Sequence, residues 1–294
     1  MPASRPLSLP AASPTDDGLF GPDSVTWRVM AAPGTAVAVG AAVLVQMLHP
    51  RVIRLIDQAS TFYRNPELRG QLTGQYVQTI TYGDTAAAET AGAALRRLHR
   101  HMKAIDPVTR EEYAADEPEL LLWVHNATVW PLLRACARFG PALTPPEQDR
   151  FVSEQRVAAR LVGIDPATAP ATVEELDAAM ERMRPQLAFT LEAAKMRDLI
   201  VPRARPVGTE AVLGRVLQLA AVDLLTPEQR ELYGFRWSRV RHAAVQVGSA
   251  IVVGGAKAKL PYDKALPQIR AQVSAHAFGA KALRINKDLR DDPS

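Results

Sequence analysis

Leu120-Leu121-Leu122-Trp123-Val124-His125-Asn126-Ala127-Thr128-Val129-Trp130-Pro131-Leu132-Leu133 is the stretch that decides the fold class. At ~100° per residue, its apolar side chains cover nearly the whole circumference of a helix. A helix that is apolar all round belongs in the centre of a protein. Just upstream, Asp116-Glu117-Pro118-Glu119 reads as a start signal: a capping aspartate, an early proline, and a glutamate three residues after the cap. The helix is expected over Glu119–Arg138, ending before Gly140-Pro141. His125 lies inside it, with Leu121, Thr128, Val129, Leu132 and Cys136 as its neighbours on the helix surface. A buried imidazole must satisfy its ring nitrogens. His125 is therefore either a core histidine bonded to a carbonyl or water, or a ligand of the kind that holds haem iron.

Outward from that helix the chain reads as helical throughout. Asp84 caps a helix expected to run to about Ala104, stopped by Asp106-Pro107. Ala91, Leu95, Leu98, Met102 and Ile105 form its apolar stripe, which His99 and His101 flank on opposite sides. Arg96, Arg97, Arg100 and Lys103 crowd the rest of the surface. That region is either a solvated basic face or a pocket edge, with His99 turned inward and an arginine meeting a propionate or a bound oxygen. Ala36–Leu48 reads as a core helix, interrupted by Gly40 and Gln46 and shorter than the ~20 residues a bilayer requires. His49-Pro50 breaks it, since the residue before proline avoids the α region. His49 serves there either the helix dipole or a site. Asn65-Pro66-Glu67, Thr144-Pro145-Pro146-Glu147, Thr172-Val173-Glu174-Glu175 and Thr226-Pro227-Glu228 open further helices, the second of them closing near Gly163. No run of alternating β-branched residues suggests a strand.

Three regions are expected: a disordered Pro/Ser/Ala-rich lead-in over 1–18, a helical domain over 19–250, and a C-terminal helical extension over 251–294. Gly254-Gly255, Pro261 and Pro267 weaken the pattern of the last. Pro202 to Pro206 is a candidate hinge, although a single domain is preferred.

Composition narrows the function. The 294 residues are 47% hydrophobic and 22% charged, with a net charge of +4. Wholesale disorder is excluded, and the scattered arginines give no nucleic-acid footprint. Cys136 stands alone, which rules out an intrachain disulfide or a multi-cysteine metal site and agrees with a reducing, cytoplasmic setting. On its apolar helix the thiol is expected to be inert. Met1 to Asp17 lacks the apolar stretch of a signal peptide. Glu-x-x-His, His-Glu-x-x-His, Gly-x-Ser-x-Gly, Gly-x-Gly-x-x-Gly and Walker-type patterns are all missing, so di-iron, metalloprotease, hydrolase and nucleotide-binding readings lose their support.

Several phrases carry a resemblance. Val45-Gln46-Met47-Leu48-His49-Pro50 resembles the "LQLAHP" phrase of a large bacterial and fungal family. Thr81-Tyr82-Gly83-Asp84-Thr85, Leu98-His99, Tyr113-Ala114-Ala115-Asp116, Leu120–His125 and Phe139–Thr144 follow in that family's order. It includes the latex clearing proteins (rubber oxygenases) and a fungal oxygenase of the mycophenolic acid pathway. The resemblance covers roughly Phe20 to Pro206. It implies an all-α, globin-like helical bundle around a buried haem b. It implies a histidine axial ligand, carried onto His125, with Arg96, Arg97 and His99 as cofactor-binding residues. His99, His49 and Arg97 are then the candidate catalytic groups. The rubber oxygenases' exchangeable distal lysine has no match here, and Lys103 lies past the matched phrase. The activity implied is that of a haem-dependent oxygenase acting with dioxygen on a hydrophobic small molecule. The alternative is a haem or lipophile carrier or sensor without turnover. No nucleic-acid partner or integral membrane segment is expected, and either end of the chain is a candidate contributor to a homodimer.

Overall fold

The start signals place most of the elements. In the computed structural model, which describes residues 16–60, 63, 65–259, 266, 267, 269, 270 and 273, the chain folds as α1 (Val25–Met30), α2 (Thr35–Gln46), α3 (Pro50–Ala59), α4 (Pro66–Tyr82) and α5 (Thr85–His101). A small hairpin follows, β1 (Lys103–Ile105) and β2 (Glu112–Ala114). Then come α6 (Pro118–Phe139), α7 (Pro145–Val162), α8 (Val173–Met183), α9 (Leu191–Ile200), α10 (Thr209–Leu224), α11 (Pro227–Leu232) and α12 (Arg239–Lys259). The caps act as their chemistry requires. Asn65 accepts from the Leu68 amide and Asp84 from the Ala87 amide. Thr144 and Glu147 form a reciprocal capping box, and Gly163 ends α7 in the left-handed region at φ 98°.

The fold is all-α apart from that hairpin. α6 lies at its centre, and its buried side chains point in every direction, from Leu120 and Trp123 through Val129 and Trp130 to Leu133 and Cys136. α2 packs along it and also against α10, where Gly40 faces Ala221. α3 leaves α2 at 100° across His49-Pro50. No single helix among the described residues is long and apolar enough to cross a membrane; α2 and α3 pass such a test only as this bent pair.

α5 and α7 approach very closely. A Cβ on Gly92 would lie 2.9 Å from the Leu161 carbonyl oxygen and 3.2 Å from its Cβ, so only glycine fits without separating the helices. Gly92→Ala is therefore expected to cost about 1–3 kcal/mol. A thermal melt at the wild-type midpoint would show that the crossing is looser than this.

The structure corrects three expectations. The α5 helix stops at His101, not near Ala104, because Met102 is extended and Ala104 pairs with Tyr113 across the hairpin. Tyr113 is buried and its hydroxyl donates to the Arg51 carbonyl, while Gln58 brackets the backbone of Ile105. The cap of α6 is Glu117, not Asp116, with Pro118 in the first turn and no side-chain capping bond. Asp16 Oδ1 accepts from the Gly18 and Thr85 amides, tying residues 16–18 to the start of α5. Residues 1–15 lie outside the described residues. Finally, Gly254-Gly255 does not interrupt the helix. α12 runs straight through Gly254-Gly255, where a Cβ would meet open space, and Pro261 lies outside the described residues.

A buried carboxylate fastens α12. The Asp223 side chain, at the end of α10, is fully inaccessible. It accepts from Arg138 Nη1 of α6 (2.6 Å), from Trp237 Nε1 (2.6 Å), and pairs with His242 Nδ1 of α12 (2.6 Å). Arg138 also reaches Ser249, which is completely buried on α12. Burial alone would raise the Asp223 pKa, but the His242, Trp237 and Arg138 hydrogen bonds outweigh it and hold the carboxyl below the ordinary carboxylate range.

Candidate functional site

A cavity of about 360 Å³ opens between α2, α4, α5 and α6. That volume falls in the usual range for a small-molecule or cofactor site, ~300–1,000 Å³. Ala38, Val43, Leu72, Leu95, Leu121 and Leu132 give it a mainly apolar wall. Exposed Val39 of α2 and exposed Thr73 of α4 both line it and mark its open side. The all-apolar character of α6 now has a second cause: one side of the helix faces the core and the other faces this space.

The cavity brings two histidines together. His125 reaches it from α6 and His99 from α5. Burial depresses the pKa of each to about 4, so both are neutral imidazoles near pH 7. At His99, Asp116 opposes that depression while Arg69 reinforces it. His99 Nδ1 is buried without a hydrogen-bond partner. Thr128, one turn along α6 from His125, is already engaged: its Oγ1 donates to the Val124 carbonyl (2.7 Å) and accepts from Gln46 Nε2 of α2 (2.8 Å).

These pKa values carry a linkage consequence. The unfolded chain takes up the two protons near pH 6.5, whereas the folded chain resists until about pH 4. Stability is therefore fully present above pH ~6.5 and declines as pH falls toward 4. Denaturant melts across that range should show the decline, and a His99→Gln/His125→Gln variant should flatten it. An equally steep decline in the variant would locate the effect elsewhere.

The other expected site residues lie apart. Arg96 leaves the cavity and donates from Nη1 to the Leu161 carbonyl (2.6 Å), closing the end of α7 beside Gly163. Arg97 is exposed. Neither arginine lines the cavity, because the face of α5 that carries them turns toward α7 or solvent. His49 is buried at the α2–α3 corner against Trp123, with ring centroids 6.1 Å apart, and also lies outside the cavity. Burial is the main cause that lowers its pKa. Lys103 is exposed on β1 and paired with Glu112. Cys136 is buried, and burial pushes its thiol up to about 11, which makes it a poor nucleophile.

The cation in the cavity is instead Arg69 of α4. Sequence reasoning missed it, although a signal existed. Arg69, Leu72, Thr73, Tyr76, Val77 and Ile80 recur at helical spacing, and all six line the cavity. An arginine inside such a stripe points inward with it.

Among the described residues no three His, Cys, Asp or Glu side chains converge on a point, so a metal held wholly by protein ligands has no ligand set there. Haem makes a smaller demand, since the porphyrin supplies the equatorial ligands and the protein an axial one. Two neutral imidazoles, the Arg69 cation and apolar walls fit that demand.

Residues 27–253 match the family described as ER-bound oxygenase mpaB/B'/Rubber oxygenase, catalytic domain. The chain belongs to this family of oxygenase catalytic domains. No curated protein and no solved structure matches it.

Proposed function

We propose that the chain is a haem b-dependent oxygenase whose iron is held by an imidazole in the α2–α4–α5–α6 cavity, acting on an apolar or amphipathic small molecule. The observation that carries this reading is the pair of neutral histidines, His125 and His99, facing one mainly apolar cavity in a chain of an oxygenase family. His125 is the ligand that the family resemblance implies. His99 has an equal geometric claim, because it too is neutral, lines the same space and lacks a partner at Nδ1. One of this pair would hold the haem iron, and the other imidazole would stay available for hydrogen bonding in the cavity.

Haem, when bound, supplies the oxygen chemistry. The chain supplies everything else. One imidazole would hold the iron, a role that requires the neutral form burial already enforces. The aliphatic wall excludes water and seats an apolar substrate. The Gln46–Thr128 pair fixes the facing surfaces of α2 and α6.

Oxygen uptake by the ferrous, haem-loaded protein tests the activity. Uptake that depends on an added isoprenoid or phenolic compound is the expected result. Slow autoxidation that no such compound accelerates would contradict an oxygenase and identify a carrier or sensor.

A further inference from the structure

Arg69 is anomalous among the inward-reaching arginines. Arg138 meets Asp223, Arg54 meets Asp106, Arg134 donates to the Leu224 carbonyl, and Arg96 donates to the Leu161 carbonyl. The Arg69 guanidinium forms no ion pair among the described residues, and its Nε is buried without a hydrogen-bond partner. It faces a mainly apolar cavity, and the nearby His99 is neutral. Burial lowers its pKa, yet a guanidinium stays charged in proteins. A partly desolvated cation with unfilled donors is costly to keep unless a ligand completes it.

We propose that Arg69 is a carboxylate-binding residue, anchoring the acidic end of an amphipathic ligand whose apolar body fills the cavity. The planar donor fork of arginine matches a carboxylate in two parallel hydrogen bonds. Among the described residues no lysine and no second arginine lines the cavity, so the charge to be matched there is that of a monoanion. The apolar walls require the rest of the ligand to be hydrocarbon-like. Two sources offer this chemistry, a propionate of the porphyrin or the carboxylate of an apolar acid. The proposal rests on the reading of this cavity as the ligand site, and its test separates the two sources.

The full-length protein is titrated with two matched pairs of probes: haemin against haemin dimethyl ester, and dodecanoate against dodecanol. Wild type, Arg69→Gln and Arg69→Lys are compared. At least one acidic probe is expected to bind roughly ten- to hundredfold more tightly than its neutral counterpart, as a charged hydrogen-bonded contact would give. That preference should vanish in Arg69→Gln and return in part in Arg69→Lys. A preference within the haemin pair assigns the propionate, and one within the dodecanoate pair assigns a substrate carboxylate. Equal affinities within both pairs, no binding of any probe, or a preference that survives Arg69→Gln would overturn the proposal. The dodecanoate pair needs no haem, so a failure of the haem reading leaves that arm intact. The Arg69 side chain forms no ion pair with the described protein, so both variants should keep the wild-type helical circular dichroism.

Discussion

A His99→Ala/His125→Ala protein is expected to bind added haemin more than about a hundredfold more weakly than wild type, and to show no Soret band of the ligated form. Lost second-shell partners of metal ligands already cost ~10–100-fold, so losing the ligand itself should cost more. The prediction follows from the cavity, where among the described residues these are the two histidines in the wall. Single variants assign the ligand. The one that reproduces the double-variant loss supplies it, and the other should retain haemin with a shifted spectrum. His49→Ala is the control, because His49 is buried at the α2–α3 corner outside the cavity and its loss should leave haemin affinity unchanged. Full haemin uptake with an unchanged spectrum in the double variant would remove both histidines from the site.

Asp223→Ala is expected to be the most damaging substitution away from the cavity. Asp223 is the common partner of Arg138, Trp237 and His242, and so joins α10, α6 and α12. Removing one member of a buried ionic network leaves the others uncompensated and typically costs ~3–5 kcal/mol. For a chain of this size the melting midpoint should fall by on the order of 10 °C. The pH dependence has a definite sign. The folded carboxyl titrates below its unfolded value, so the stabilisation is present above the unfolded pKa and is lost as pH falls through the folded one. The clamp should therefore fail only in strong acid, below the range in which the two cavity histidines take up protons. A midpoint within a degree or two of wild type would show that α12 is held by its apolar contacts alone.

Helix existence was legible where local chemistry is strong. The Asn65, Asp84, Thr144, Thr172 and Thr226 starts all stand where the sequence places them. So does the break at His49-Pro50. The hairpin at Lys103–Ile105 was invisible because three-residue strands offer too few positions for alternation to show. Gly254-Gly255 suggested an interruption that α12 does not make, since glycine weakens a helix without forbidding it. His125 and His99, each an imidazole beside an apolar stripe and so conspicuous in the sequence, both line the cavity, and the role given to them is the proposal made above. Arg96 and Arg97 do not line the cavity. Arg96 and Arg97 drew attention by crowding beside His99, but the rotation of α5 is set by its close crossing with α7 at Gly92, a tertiary contact with no local signature. Arg69 was legible in principle from its place in the stripe of α4, yet a single charge within an apolar pattern reads as noise until the cavity beside it is known.

The electronic absorption spectrum of the purified protein, recorded before and after addition of one equivalent of haemin, tests the central claim most directly. A Soret band that saturates at one haem per chain, and that the His99→Ala/His125→Ala protein does not develop, is the predicted result. A colourless wild-type protein that takes up no added haemin would contradict the account.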